Sequence, residues 1–97
     1  MNKKVYAAVM ERADGRCEWC KEYYCVVAHH IIHGNGKRQQ HETVESVIAL
    51  CDKCHTKVHG KDGHDTDIEM KLRVQQTYFN QGMSETEVRR WLGGKIY

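Results

Sequence analysis

Two short apolar runs interrupt an otherwise polar chain, and both lie in its first two thirds. Residues 25–32 are apolar and β-branched except for a pair of histidines, and residues 47–50 read Val-Ile-Ala-Leu. Runs of this length, bounded by polar segments, are typical of strands. The segment between them contains glycines at 34 and 36, which favour a loop. The sequence therefore predicts two short strands joined by a polar loop.

Helical spacing of apolar residues appears on both sides of this pair of strands. Residues 3–13 place apolar side chains on one face, and Asp14-Gly15 supplies a stop. Residues 52–59 follow the second strand and end at Gly60. We predict a helix in each segment.

The last third of the chain has the pattern of two further helices. Residues 66–69, Thr-Asp-Ile-Glu, have the form of a capping box and predict the start of a helix that carries Ile68, Leu72 and Phe79 on one flank. Residues 84–87, Ser-Glu-Thr-Glu, repeat this form before a shorter apolar stripe. Together with the strands, these helices place the protein in the α+β class.

Length and net charge limit the size of the hydrophobic core and the affinity for nucleic acid that this chain is expected to have. It has 97 residues, 40% of them hydrophobic, and it contains no proline. One domain spanning residues 1–97 is expected, and a core of this size is marginal without a further support such as a bound metal. A net charge of +2 is too small to indicate nucleic-acid binding, so any such affinity must come from local patches.

Four of the five cysteines form two Cys-x-x-Cys pairs, Cys17 with Cys20 and Cys51 with Cys54. Two such pairs favour a structural Zn²⁺ with four sulfur ligands and no position for substrate. The alternative hypothesis is a redox protein that uses Cys17 and Cys20. This hypothesis predicts titratable thiols without stoichiometric zinc. The fifth, Cys25, is expected to be a small buried hydrophobe in a strand.

The cellular compartment follows from the same cysteines and from the rest of the chain. The N-terminal residues lack the apolar stretch of a secretory signal, and no apolar run is long enough to cross a membrane. We therefore expect a cytoplasmic protein with no membrane partner, in a reducing compartment where paired cysteines bind metal.

A second set of ligands consists of histidines. His55 and His59 are four residues apart on a predicted helix and share a face, whereas Cys54 points about 100° away around the helix axis. His29, in the first strand, could join them in a nitrogen-rich site for a divalent ion. Each histidine alone is better explained as a surface residue, but the three together favour a metal site.

The order of these features resembles the HNH endonuclease family. The resemblance runs from residues 12–17, Arg-Ala-Asp-Gly-Arg-Cys, through Cys54-His55 to His59. It implies a ββα-metal (His-Me finger) core over residues 12–60 that a four-cysteine zinc braces. The additional N- and C-terminal helices, the latter an extension over residues 66–97, lie outside that core.

The resemblance also implies a role for each matching residue. It makes His29 and His55 ligands of a catalytic ion, His59 a further ligand or a phosphate-contacting residue, and His30 the general base. The family's middle Asn falls at Ser46, whose shorter side chain can still form hydrogen bonds across the loop. Neighbouring residues of a regular strand point to opposite faces, so the strand must end or twist at the histidine pair if both are to face one substrate.

The implied function is a metal-dependent DNA endonuclease or nickase that uses Mg²⁺ or Mn²⁺, in a bacterial or phage-infected cell. The chain's last residues are reminiscent of small phage or prophage members. Lys37 and Arg38 give the loop a cationic tip for contact with DNA phosphates. Trp91 and Phe79 either mediate a homodimer or are buried within the monomer. The alternative, which Ser46 in place of Asn supports, is a non-catalytic zinc-binding module that docks nucleic acid or protein.

Overall fold

A two-stranded antiparallel sheet and four α-helices make up the described part of the chain, a small mixed α/β structure in the computed structural model. The structure describes residues 1–22, 25–32 and 42–97. The helices are α1 (Lys3–Ala13), α2 (Asp52–His59), α3 (His64–Asn80) and α4 (Glu85–Trp91), and the strands are β1 (Val26–His30) and β2 (Val47–Cys51). The mixed architecture that the sequence predicts is therefore confirmed.

Strands β1 and β2 form a hairpin whose ends position the candidate site. Ala28 lies opposite Ala49, and His30 lies opposite Val47. Beyond the last pair, the Ile31 N–H donates to the Ser46 carbonyl over 2.8 Å. Strand β2 continues directly into α2, so the direction of that helix is set by the sheet.

Helix α1 begins and ends at the residues that the sequence indicates. The Asn2 side chain accepts the N–H groups of Lys4 and Val5, which caps the first turn. Asp14 then adopts a left-handed conformation with φ of 51°, followed by Gly15 at 75°, and this stops the helix.

Helix α3 begins before its predicted start. It begins at His64, after an N-cap residue, Gly63, that makes no side-chain hydrogen bond, so the predicted capping box at residues 66–69 is wrong. The Gly63 backbone packs so closely on the end of α2 that an added Cβ would lie 2.1 Å from the Val58 carbonyl oxygen. Docking of the backbone, not a local cap, therefore sets where this helix begins.

The buried face of α3 also lies on a different flank. Met70, Val74 and Tyr78 are buried at four-residue spacing, whereas Leu72 is 42% exposed. Because residues 70, 74 and 78 recur at i, i+4, they form a continuous buried stripe, and the apolar flank through Leu72 lies beside that stripe. Phe79 only packs against the edge of the core.

Helix α4 confirms its predicted cap. The Ser84 hydroxyl accepts the Glu87 N–H over 3.3 Å, and the Glu87 side chain accepts the Ser84 N–H over 3.4 Å. This reciprocal pair is a capping box. Val88 and Leu92 are buried against the core, while Trp91 is partly buried against it.

Two groups of buried side chains hold these elements together. Val9 and Ala13 of α1 pack against Val47 and Ala49 of β2. The larger group surrounds the paired cysteines and extends to α3 and α4.

Cys25 is exposed just before β1, so its predicted burial in a strand is wrong. None of the described helices is long and apolar enough to span a membrane.

Candidate metal centres

The four paired cysteines meet at one point in the structure. Cys17 and Cys20 lie in the turn after α1, Cys51 ends β2, and Cys54 lies in the first turn of α2. Their sulfur atoms all lie within 4.8 Å of one another. The Sγ atoms of Cys20 and Cys51 are 3.8 Å apart, which matches the edge of about 3.8 Å for a tetrahedron with Zn–S distances of about 2.3 Å. The four cysteines are thus positioned to hold a metal ion and are compatible with structural zinc.

The surroundings of the sulfurs favour a negative charge on Cys17. Burial raises the pKa of the Cys17 thiol, but hydrogen bonds from the backbone N–H groups of Cys20, Cys51 and Trp19 outweigh burial and lower the pKa to about 6. Burial and the neighbouring sulfurs instead raise the pKa of Cys54. A cation among the sulfurs would offset the burial and the repulsion that raise the pKa of Cys54, so the cluster is suited to a positive ion.

An arginine links α1 to the cysteine cluster and to the hairpin. Arg12 donates through Nε and Nη2 to the two carboxylate oxygens of Glu18, over 2.5 and 2.8 Å. It also donates to the carbonyls of Val44 and Val47, each over 2.7 Å. Glu18 in turn accepts the Ala49 N–H over 2.9 Å. The first cysteine pair is therefore held against β2 by a bidentate ion pair in addition to any metal.

Three histidines form a second cluster on the other side of α2. His29 of β1 is 4% exposed, and His55 and His59 lie one turn apart on α2. Their ring centroids are separated by 5.6 Å (His29–His55), 5.1 Å (His29–His59) and 4.6 Å (His55–His59). One ligand nitrogen from each ring lies within 4.8 Å of the other two. The predicted grouping of these histidines is therefore present.

The donor atoms of this second cluster suit a transition-metal ion. The Nε2 atoms of His55 and His59 are 3.2 Å apart, close to the edge of about 3.4 Å for a tetrahedron with metal–nitrogen distances of about 2.1 Å. Imidazole nitrogens are favoured ligands of transition metals, whereas Mg²⁺ prefers oxygen. An open cavity of about 350 Å³ borders His29 and His59. The residues present thus fit a divalent ion with space for water or an anion.

His30 lies on the other face of β1, away from the three-histidine cluster. Its Nε2 contacts Glu42 Oε2, and Glu42 Oε1 accepts the Asn2 N–H over 2.8 Å. Burial raises the pKa of Glu42, but its hydrogen bonds with His30 and Asn2 outweigh burial and lower it. Sequence reasoning missed Glu42 because it stands in a polar loop, and nothing in its spacing points to His30.

Ser46 is placed inside the turn before β2. Its side chain donates to the Thr43 carbonyl over 3.0 Å and accepts the Thr43 N–H over 3.1 Å, and the residue is 2% exposed. Ser46 therefore shapes this turn, and its catalytic role stays a prediction. Lys37 and Arg38, the predicted DNA contacts, lie outside the described residues.

No protein-family model matches the chain, and no curated protein matches it.

Proposed function

We propose that this protein is a zinc-braced, metal-dependent DNA endonuclease or nickase of the HNH type. In this proposal β1, β2 and α2 form a ββα-metal core. The observation that carries the proposal is the convergence of His29, His55 and His59 on one side of α2, with four cysteines on the other. A structural site and a substrate-accessible site on one short helix suit a hydrolase better than a zinc fold alone.

The residues have distinct roles in the proposed reaction. His29, His55 and His59 would hold a divalent ion, which when bound supplies Lewis-acid stabilisation of negative charge on the scissile phosphate. His30 accepts a proton from the attacking water. Because His30 is the last residue of β1, the proposal requires the substrate backbone to pass the end of this strand, where it can reach side chains from both faces.

The all-nitrogen donor set refines the choice of ion. The three-histidine cluster contains no carboxylate among the described residues. Since Mg²⁺ prefers oxygen ligands, we expect Mn²⁺ to support more cleavage than Mg²⁺ at equal concentration. DNA contacts are proposed to be mainly with phosphates, through Lys37 and Arg38 among others, without base reading.

Incubation of zinc-loaded protein with supercoiled plasmid tests this proposal. We expect nicking with Mn²⁺, weaker nicking with Mg²⁺ and none with EDTA. His30→Ala should lower the rate by about 10²–10⁴-fold, the usual contribution of general-base help, while zinc content and circular dichroism stay unchanged. Glu69→Gln, on the exposed face of α3, is the control and should cut normally. Absence of nicking with every divalent ion, on DNA of any form, would reject the proposal.

One observation favours a non-catalytic zinc module instead. The Ser46 side chain, at the position of the family's Asn, is buried and engaged with Thr43. If catalysis requires a side chain at that position to reach the substrate, this chain binds without cutting. Retention of the protein on DNA at low salt, with intact plasmid after prolonged incubation with Mn²⁺, selects the module.

The oligomeric state decides whether the expected product is nicked or doubly cleaved DNA. A single active site cuts one strand, so we propose nicking by the monomer and double-strand cleavage only through a homodimer or two encounters. Light scattering of the protein alongside the plasmid assay distinguishes these cases. Linear plasmid from a protein that stays monomeric would require two successive events.

A further inference from the structure

We infer that Glu42 is a positioning residue that fixes the orientation and tautomer of the His30 ring. Its carboxylate accepts the N–H of His30 Nε2, which leaves Nδ1 as the nitrogen that takes up a proton. The inference deepens the proposed function and rests on it for the role of His30 as a base. The contact between the two side chains stands independently of any activity.

The Glu42 carboxylate is held from both sides. Its side chain is 2% exposed. One oxygen accepts the Asn2 N–H over 2.8 Å at the start of α1, and the other contacts His30 Nε2. A buried carboxylate whose two oxygens both accept hydrogen bonds has little freedom to rotate, so it presents a fixed acceptor to the imidazole.

The backbone on each side of this contact is also fixed. Thr43, next to Glu42, closes a turn with Ser46 and meets the Tyr78 hydroxyl at 2.5 Å through its own Oγ1. The residue after His30 donates its N–H to the Ser46 carbonyl over 2.8 Å. The same turn therefore contacts both the residue next to Glu42 and the end of β1, and so positions the two side chains relative to each other.

The tautomer follows from the chemistry of the ring. A neutral imidazole carries one N–H, and the hydrogen bond made by one nitrogen decides which nitrogen keeps the proton. With Nε2–H donated to a carboxylate, Nδ1 keeps a lone pair. In the reaction, a water O–H bond breaks and its proton passes to Nδ1 while the oxygen bonds to phosphorus. The phosphorus–oxygen bond of the leaving group breaks, and that oxygen takes a proton from solvent. Glu42 stays ionised throughout and stabilises the imidazolium.

Nitrogen NMR of the imidazole rings in the full, zinc-loaded chain tests the inference without DNA. The His30 signals are assigned by their loss in His30→Ala, and spectra are recorded under alkaline conditions in which imidazole rings are neutral. We expect the wild-type ring to be protonated at Nε2. Glu42→Ala should give a mixture of tautomers. Glu42→Gln keeps an acceptor oxygen and should preserve much of the wild-type preference for the tautomer protonated at Nε2. This variant replaces Glu42→Ala in the test if the alanine variant does not fold.

Plasmid cleavage then supplies the second readout. Carboxylates that orient metal-ligating imidazoles typically contribute about 10–100-fold. We expect a similar factor for His30, so Glu42→Ala should lower kcat by that amount with KM changed less than about twofold. The kcat of Glu42→Gln should lie between those of Glu42→Ala and the wild type. Glu69→Gln, the same change on an exposed pair with Arg73, should alter neither readout.

The outcomes separate the inference from the proposed function. A His30 tautomer that is unchanged in both Glu42 variants, or a kcat that is unchanged in both, overturns the inference while cleavage by the wild type still supports the nuclease. If the His30 tautomer depends on Glu42 but the wild-type protein cuts no DNA, the positioning role of Glu42 is supported and the proposed nuclease function is overturned. A wild-type ring protonated at Nδ1 also overturns the inference.

Discussion

The Tyr78 hydroxyl lies 2.5 Å from Thr43 Oγ1, and this contact ties the middle of the C-terminal half to the turn before β2. Tyr78 is fully buried on α3, 35 residues further along the chain from Thr43. Because Thr43 stands between Glu42 and the short 3₁₀ helix Val44–Ser46, α3 supports the residues that hold His30. The helical extension is thus connected to the candidate site and does not only complete the core.

Removal of this hydroxyl should lower stability and alter its dependence on pH. Burial raises the pKa of Tyr78. Above pH ~10, the ordinary tyrosine value, the unfolded chain therefore loses a proton that the folded chain retains, and the free energy of unfolding falls as the pH rises. Tyr78→Phe should cost about 0.5–1.5 kcal/mol at neutral pH and should remove this part of the alkaline loss.

Urea unfolding of the two proteins at neutral and at strongly alkaline pH measures both effects. Tyr6→Phe, a change at an exposed tyrosine, is the matched control and should leave both values unchanged. Parallel alkaline losses in wild type and Tyr78→Phe would contradict the assignment of the effect to this residue.

Loss of one cysteine of the cluster should release zinc and unfold the protein. We expect Cys51→Ser to contain no tightly bound zinc, and EDTA treatment of the wild type to produce the same unfolded circular dichroism, because zinc binding of this type contributes directly to folding. Elemental mass spectrometry and thermal melts measure the two quantities. Cys25→Ser, at the exposed cysteine outside the cluster, should keep one zinc and the wild-type melting temperature.

The histidine cluster should bind a second, exchangeable ion without affecting the first. His55→Ala should lose Mn²⁺ binding, followed by electron paramagnetic resonance, and keep one zinc. A control on the exposed side of the same helix, Thr56→Ala, should bind Mn²⁺ normally. Equal Mn²⁺ binding by wild type and His55→Ala would show that these imidazoles are not ligands.

The pair of Arg12 and Glu18 should stabilise the protein beyond the usual value of a surface ion pair. Arg12→Lys loses the bidentate geometry and the bonds to two carbonyls, so we expect a cost of about 1–2 kcal/mol after allowance for its partial exposure. Arg89→Lys, in an exposed pair with Glu85, should change stability by less than about 0.5 kcal/mol. Chemical denaturation compares them, and equal losses would mean that Arg12 acts as an ordinary surface charge.

Elements with local signals could be predicted from the sequence. Helices α1 and α4 carry their own caps and stops, and the apolar runs correspond to β1 and β2. Both clusters of predicted ligands also follow from spacing, because Cys-x-x-Cys turns and i, i+4 histidines fix which side chains are neighbours.

Features decided by tertiary packing could not be predicted in this way. Helix α3 begins where Gly63 docks on α2, three residues before the Thr66 of the apparent cap. The contact between His30 and Glu42 joins two elements through packing that no periodicity records. In both cases a packing contact decides the outcome, and the sequence pattern does not indicate that contact.

Cys54 and His55 are consecutive residues of α2, and each belongs to a different candidate centre. If both centres are metal sites, they must be filled in order. The four-cysteine cluster must bind zinc first, because Cys54 anchors the helix that presents the imidazoles of His55 and His59. A chain made in a zinc-starved cell would then be unable to recruit the second ion however abundant that ion is. Zinc supply would set the number of competent molecules, and the other metal would set only how fast each one works.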